Sequence, residues 1–172
     1  MSRSYHAPEP LTDRHDVSGF VCRSREQTEW LRRHARQADN TGTTKVFVVT
    51  RAGSDAVVAY YAWCMAQVAS PAAPPRLRKG AGRYPQPVAL LVRLGVHIDH
   101  ERRGLGAALL QDVFARVLEL TDAIGCRGLL VHSESDEARD FYLHLVPEFE
   151  ASPSDPLHLV LLIKDIRRTL TR

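Results

Sequence analysis

The most constraining feature of this chain is an apolar run that passes directly into a glycine-containing turn and then into an amphipathic helix. The run covers residues 88–98, and Gly95 interrupts it with a residue that is typical of a bend or bulge in a strand. From Gly104 to Ile124, apolar residues recur at spacings of three and four, which predicts a helix with one stripe packed on a sheet. A buried strand followed by such a helix indicates an α/β or α+β protein.

Other periodic segments predict a mixed central β-sheet flanked by helices. Strands are predicted at residues 45–50, 57–68, 129–132 and 157–163, and helices at residues 24–38 and 136–145. Ser24 with Gln27, and Ser133 with Asp136, form the capping patterns that begin these two helices. Pro147 ends the second helix, and residues 148–156 are predicted to be a turn-rich connection.

Two segments are predicted to lie outside the packed elements. Residues 1–16 are polar and contain two prolines, so we expect an irregular or edge-strand lead-in without chemistry of its own. Residues 69–87 are dense in proline and glycine, and we expect a long, basic, mobile loop that cannot form a packed element. Such loops inside a compact domain are often functional, although a plain disordered insertion would have the same composition.

The length of 172 residues predicts a single domain that covers the whole chain. Three widely spaced cysteines favour neither a disulfide framework nor a metal site, and no stretch has the length of a membrane helix. The start of the chain lacks the apolar core of a secretory signal, so we expect a cytoplasmic protein. Residues 1–110 carry 16 Lys and Arg against 9 Asp and Glu, a balance that suits a polyanionic partner or simply an uneven solvated surface.

The turn between the apolar run and the helix has the composition of an anion site. Gly104 and Gly106 let the backbone approach an anion, and a helix N-terminus offers unpaired N–H groups there. Arg102 and Arg103 add positive charge where a pyrophosphate would lie. Taken alone, two glycines at this spacing are equally typical of a tight strand-to-helix turn.

The sequence Glu101-Arg102-Arg103-Gly104-Leu105-Gly106 resembles the acyl-CoA signature of the GNAT N-acetyltransferases, in which Gln or Arg stands where this chain has Glu101. The resemblance implies a GNAT fold, acetyl-CoA as co-substrate and no metal. It also implies a set of cofactor-binding residues along the strand end, the loop and the first helical turn. These residues are Leu94, Gly95, Val96, Arg102, Arg103, Gly104, Leu105, Gly106 and Ala107.

Over residues 17–168 the chain is similar to the tRNA-acetylating GNAT toxins that pair with ribbon-helix-helix antitoxins. The similarity is carried by residues 20–22 before Trp30-Leu31, by residues 93–99, by residues 137–142, and by Ser154-Asp155-Pro156 and residues 162–165. It implies that Tyr142 protonates the thiolate that leaves during transfer of acetyl to the α-amine of aminoacyl-tRNA. It also implies inhibition of translation, a ribbon-helix-helix antitoxin partner and a homodimer.

For tRNA binding we predict phosphate contacts from cations in three places, with Arg93 as the foremost candidate. The residues are Arg32, Arg33 and Arg36 on the first helix, Arg76, Arg78, Lys79 and Arg83 in the basic segment, and Arg93. Four side chains near the loop, Glu101, His97, His132 and Glu134, stay open as a general base, and the mechanism does not require one. Two other functions stay open: an N-acetyltransferase for a small amine or a protein N-terminus, and a catalytically idle acyl-CoA sensor.

Overall fold

The computed structural model describes residues 4–172, so the first three residues of the predicted lead-in lie outside the described part. Residues 4–172 form six α-helices: α1 Arg25–Arg33, α2 Ala35–Thr41, α3 Pro75–Arg78, α4 Leu105–Thr121, α5 Asp136–Leu145 and α6 Ile163–Leu170. They also form seven strands: β1 Glu9–Pro10, β2 Lys45–Thr50, β3 Val57–Val68, β4 Gln86–Val96, β5 Gly128–His132, β6 Glu150–Ser152 and β7 Asp155–Leu162. In this part of the chain, no helix is long and apolar enough to cross a membrane.

The seven strands join in one mixed sheet with the order β1-β2-β3-β4-β5-β7-β6. Strands β4 and β5 run parallel, with Ala89 opposite Leu129 and Leu91 opposite Val131. The pairs β1·β2, β2·β3, β5·β7 and β6·β7 run antiparallel. The prediction of a mixed sheet flanked by helices is therefore confirmed, and β1 confirms that the lead-in contains an edge strand.

The chain forms two compact units, and the first consists of Met1–Cys64 and Val92–Asp112. Its core contains Phe20, Leu31, Val46, Val48 and Tyr60, all nearly inaccessible to solvent. The core joins side chains of α1, α2, β2 and β3. Each of these helices directs its apolar face toward the strands. This unit holds the end of β4 and the turn that begins α4.

The second unit consists of Met65–Leu91 and Val113–Arg172. Its core includes Leu77, Val88 and Val160, together with the half-buried Leu90 and Leu162. The antiparallel ladder of β5 with β7, which runs from Gly128 opposite Leu162 to His132 opposite His158, supports this core. Helix α5 begins directly after β5 and belongs wholly to this unit.

The prediction of a single helix over residues 24–38 is wrong, because the helix is interrupted at His34 and continues as a second helix. Ser24 caps α1 as predicted and accepts a hydrogen bond from the amide of Gln27. His34 has φ −122° and its N–H bonds to the carbonyl of Trp30, which ends α1. Helix α2 then starts at the fully buried Ala35 and ends at Gly42, whose φ of 77° is readily adopted by glycine.

The prediction that residues 69–87 cannot form a packed element is also wrong. The segment contains a 3₁₀ turn at Ser70–Ala72 and the short helix α3, and β4 begins within it at Gln86. Leu77 is fully buried and joins the core of the second unit. Ala73 of the same segment is fully buried as well, so apolar contacts hold this proline-rich stretch against the core.

Smaller differences concern the C-terminal half. The cap of α5 is Ser135, whose hydroxyl accepts from the amide of Ala138, and not Ser133. Helix α4 ends at Thr121, so Ile124, predicted as the last residue of its apolar stripe, lies beyond the helix and is 53% exposed. Strand β6 and helix α6 were not predicted, because three residues are too few for a periodic signal and α6 follows β7 without a turn residue.

Candidate active site

The turn that leads from β4 into α4 has a backbone suited to an anion. After β4 the chain makes a 3₁₀ turn at Ile98–His100 and reaches Leu105, where α4 begins. Arg102 has φ 60° and Gly104 has φ 78°, so two left-handed residues flank Arg103. Alternation between left-handed and right-handed residues turns successive N–H groups toward one point and makes an anion-binding concavity. The N-terminus of a long helix adds unpaired N–H donors at the same place.

Arg102 and Arg103 are both exposed, and a residue of the lead-in contacts one of them. Nη1 of Arg103 donates to the hydroxyl of Tyr5 at 3.0 Å, and that hydroxyl lies 2.7 Å from Nδ1 of His100. Burial lowers the pKa of His100, and the charges of Arg103, His97 and Arg51 lower it further. A neutral His100 accepts a hydrogen bond from the hydroxyl of Tyr5, and the oxygen of that hydroxyl accepts one from Arg103.

Glu101 occupies the first position of the loop and forms an ion pair. Its Oε1 lies 2.9 Å from Nε of Arg23, a residue from the segment just before α1. The side chain of Glu101 is 25% exposed and that of Arg23 is 61% exposed. The acidic residue in the loop therefore has a cation directly bound to it.

The end of β4 is fixed by packing inside the first unit. Gly95 is buried, and a Cβ atom placed on it would lie 3.1 Å from Cε1 of Tyr60 and 3.4 Å from Cζ of Phe20. A methyl group there would require the ring of Tyr60 to move by a few tenths of an ångström. Leu94 and Val96, on either side of it, are half-buried. The close approach of aromatic rings is a further reason for glycine at this position of β4.

Arg93, the foremost predicted tRNA ligand, has its guanidinium engaged within the first unit. Nη1 donates to Oε1 of Glu26 at 2.7 Å and to Oε1 of Gln27 at 3.4 Å. The guanidinium carbon lies 5.4 Å from the ring centroid of Trp30, within the range of a cation–π contact. The side chain is 19% exposed, whereas Glu26 is 64% exposed.

Tyr142 belongs to the second unit and is buried in α5. Its ring contacts Phe141 at 5.2 Å and Phe149 at 6.1 Å between centroids, both edge to face. Burial raises the pKa of the Tyr142 phenol above its usual value. The phenol therefore stays protonated throughout the neutral range, as a proton donor must.

The remaining predicted tRNA ligands divide by environment. Arg32 and Arg33 are exposed on α1, and Arg36 of α2 donates to the carbonyl of His15. In the second unit, Arg76 is bound at 2.8 Å to Glu150 and to the buried Asp165. Arg78, Lys79 and Arg83 are exposed, and Nη2 of Arg78 donates to the carbonyl of Ala73 at 3.0 Å.

Two contacts of the loop were missed by sequence reasoning, those from Tyr5 and Arg23. Their partners Arg103 and Glu101 lie 98 and 78 residues away along the chain, so no local pattern links them. The sequence offered one signal for the Arg23 contact. Glu101 is an acidic residue in a loop predicted to bind phosphate, and a partly buried acid there predicts a cation bound to it. As for metals, no group of three or more His, Cys, Asp or Glu within residues 4–172 is arranged to hold one.

Several solved structures share this fold. KacT with a tyrosine-to-phenylalanine substitution has a TM-score of 0.87, with 20% identity over 96% of this chain and 98% of KacT. AtaT complexed with acetyl-methionyl-tRNAfMet has a TM-score of 0.85, with 22% identity over 95% of this chain and 98% of AtaT. An AtaT variant bound to acetyl-CoA and to the C-terminus of the antitoxin AtaR has a TM-score of 0.80, with 21% identity over 98% and 99% of the two chains. The fold is that of the GNAT toxins, as predicted.

A curated relative gives the family. No family model matches the chain. A tRNA-acetylating toxin of Mycobacterium tuberculosis is 42% identical to it over 163 residues, which cover 95% of each protein. The chain therefore belongs to the family of tRNA-acetylating toxins.

Proposed function

We propose that this protein transfers the acetyl group of acetyl-CoA to the α-amine of aminoacyl-tRNA and so blocks translation as the toxin of a type II toxin–antitoxin system. The observation that carries the proposal is the loop before α4, where left-handed Arg102 and Gly104 flank Arg103. This backbone, the helix N-terminus and the two exposed arginines suit the pyrophosphate of CoA. Membership of the tRNA-acetylating toxins supports the choice of acceptor.

The residues that hold acetyl-CoA in this proposal follow the strand, loop and helix in order. Backbone amides of Gly104, Leu105, Gly106 and Ala107 take the pyrophosphate, with Arg102 and Arg103 beside them. A backbone N–H at Leu94 or Val96, next to Gly95 in β4, stabilises the oxyanion that develops on the thioester carbonyl. Preorganised donors of this kind supply a large part of catalysis because they need no reorganisation during the reaction.

Tyr142 is the proposed general acid. The amine nitrogen attacks the thioester carbonyl, an amide bond forms, the C–S bond breaks, and the thiolate takes the phenolic proton of Tyr142. The phenol of Tyr142 is protonated at neutral pH, so it carries the proton that the thiolate takes. The proton lost by the amine passes to water, since an α-amine has a pKa of about 7.7–8.0 and is partly neutral at cytoplasmic pH.

Binding of tRNA is assigned to cations through phosphate contacts, and the structure ranks them by availability. Arg32 and Arg33 in the first unit are exposed, as are Arg78, Lys79 and Arg83 in the second. Arg36, Arg76, Arg78 and Arg93 are kept in the proposal as weaker contributors, because protein oxygens already accept hydrogen bonds from their guanidinium groups. The protein acts as a single catalytic domain in the cytoplasm, where aminoacyl-tRNA is found.

The partners follow from the family and from the neighbouring structures. The antitoxin that we propose is a ribbon-helix-helix protein whose C-terminal segment covers the toxin, as the C-terminus of AtaR is bound to AtaT. Two copies of the chain form a homodimer in this proposal. Co-expression and co-purification with a candidate ribbon-helix-helix protein tests the first statement, and light scattering of the purified toxin tests the second.

The decisive experiment is transfer of labelled acetyl from acetyl-CoA to a pool of charged tRNA by the wild type and by Tyr142→Phe. We expect label on aminoacyl-tRNA that falls at least about tenfold in Tyr142→Phe, while CoA binding is unchanged. Tyr84→Phe, which removes an exposed phenol, is the matched control and keeps full activity. Absence of label from a wild type that binds CoA would refute the acceptor and redirect the search to small amines.

A further inference from the structure

The acyl-CoA loop of this chain begins with a carboxylate, and a negative charge there works against its proposed ligand. Glu101 directly precedes the left-handed Arg102, and its side chain is three-quarters buried. A carboxylate and a diphosphate at close range repel each other, and partial burial reduces the screening of that repulsion by water. The loop needs a compensating positive charge to bind CoA well.

Arg23 is placed to supply that compensating charge, and hydrogen bonds fix the backbone on both sides of it. The N–H of Cys22 donates to Oγ1 of Thr28 at 2.9 Å, and Ser24 caps α1. The N–H of Ile98 donates to the carbonyl of Val21 at 2.9 Å, which joins this segment to the chain just before the loop. Arg23 is thereby held within reach of Glu101, and its Nε lies 2.9 Å from Oε1.

We propose that Arg23 and Glu101 act as one neutral unit at the start of the acyl-CoA loop, with Arg23 as the positioning residue that permits pyrophosphate binding. This inference rests on the proposed function of the same site. Arg23 cancels the charge of Glu101 and fixes its carboxylate, with Nε of Arg23 2.9 Å from Oε1 of Glu101. The pair then replaces the neutral or basic side chain that is usual at the first position of the signature.

The test is a double-substitution cycle read by calorimetric binding of CoA and by the KM for acetyl-CoA. We expect Arg23→Ala to weaken CoA binding by about five- to tenfold, as one uncompensated charge near a diphosphate does. Arg23→Lys retains most of the affinity because it keeps the charge. Glu101→Gln binds CoA at least as well as the wild type, and adding Arg23→Ala to it causes no further loss.

Controls separate this effect from folding. Arg25→Ala removes a cation two residues away that pairs with Glu29 on α1 and is 91% exposed, and we expect unchanged CoA binding. The Tm without ligand and kcat at saturating acetyl-CoA stay at the wild-type level in Arg23→Ala. An Arg23→Ala variant that binds CoA like Arg25→Ala would overturn the proposal. The proposal would also be overturned if the double variant Arg23→Ala, Glu101→Gln bound CoA as weakly as Arg23→Ala alone. Arg23 would then promote CoA binding independently of Glu101.

Failure of the proposed function gives a different pattern. A wild type that binds no CoA would overturn both this inference and the acetyl-CoA site. A wild type that binds CoA, shows the expected cycle and leaves aminoacyl-tRNA unlabelled would support the Arg23–Glu101 unit and refute only the acceptor.

Discussion

Gly95 shows how a single residue at the end of β4 is constrained by packing. Tyr60 and Phe20 are both nearly inaccessible, and the hydroxyl of Tyr60 is held by the carbonyl of Gln27 at 2.7 Å. The ring of Tyr60 therefore has little freedom to yield to a new methyl group. Loss of glycine in this strand is disfavoured although alanine is normally the better strand residue.

We expect Gly95→Ala to lower the free energy of unfolding by about 1–2 kcal/mol, because overpacking outweighs the gain in backbone entropy. Urea denaturation measures the change. Gly125→Ala, where nothing lies within 4 Å of an added Cβ, is the control and leaves stability unchanged or slightly raised. A Gly95→Ala variant as stable as Gly125→Ala would show that the rings move aside freely.

His100 makes the region of the loop sensitive to acid. It faces Tyr5, Arg103, His97, Arg51 and Asp99, of which only Asp99 favours its protonated form. Because its pKa is lowered in the folded protein, the unfolded chain binds a proton at His100 more readily than the folded chain. The contribution of this residue to stability is thus intact above the unfolded pKa of about 6.5 and declines as the pH falls below it.

We expect the wild type to lose more stability than His100→Gln between pH 7.5 and pH 5.5, since glutamine offers an acceptor oxygen but does not titrate. Thermal unfolding at the two pH values measures the difference. Part of the loss remains in His100→Gln because the pKa of His132 is also lowered, first by burial and then by His158. Equal losses in the two proteins would contradict the assignment to His100.

At the scale of elements, the ion pair of α3 with α6 and β6 explains how a proline-rich segment becomes ordered. Asp165 is 2% exposed, and Arg76 supplies its bond at 2.8 Å, while Arg168 lies at 3.8 Å. Leu77, the neighbour of Arg76, is fully buried. A charge and an apolar side chain together dock the short helix, which has too few residues to be stable alone.

We expect Arg76→Ala to lower the free energy of unfolding by about 2 kcal/mol, because it leaves the buried carboxylate of Asp165 poorly compensated. The value lies below that of a fully buried pair because Arg76 is 40% exposed. Denaturant unfolding measures the change, with the exposed Lys79→Ala as control. Adding Asp165→Asn to Arg76→Ala should recover part of the loss, and no recovery would exclude the uncompensated charge as its cause.

Sequence patterns predicted correctly the helices and strands whose residue composition, periodicity and caps all indicate the same structure. Strand β2, strand β3 and helix α5 have their predicted bounds, because β-branched runs and a capped, periodic helix are short-range properties. The break at His34 and the ordering of residues 69–87 were not predictable in this way. Both depend on which side chains reach a core, as Ala35 and Leu77 do.

At the scale of the whole molecule, the charge asymmetry bears on the proposed RNA partner. The excess of positive charge lies in residues 1–110, which include Arg78, Lys79 and Arg83. These three cations are exposed, and phosphate contacts from such residues dominate the affinity for nucleic acid. These cations should therefore strengthen the binding of aminoacyl-tRNA and have no effect on the binding of a small amine acceptor.

We expect replacement of Arg78, Lys79 and Arg83 by glutamate to raise the KM for aminoacyl-tRNA at least about tenfold while acetylation of a small amine is unchanged. The KM for tRNA should also depend less steeply on salt, because fewer counterions are released. Glutamate at the exposed Lys164 and Arg167 of α6 serves as control. If the substitutions reduced acetylation of aminoacyl-tRNA and of the small amine equally, these residues would have no specific role in tRNA binding.

The sequence by itself determined the mixed α/β fold and the strand, glycine turn and helix that lead into α4. It also determined which residue types stand there, from Arg102 to Ala107, because period, turn chemistry and helix dipole are local properties. Only the tertiary structure decided how Tyr5 and Arg23 meet the loop. Those contacts join residues 98 and 78 positions apart, and such pairs are set by how the chain closes on itself and not by any short-range pattern.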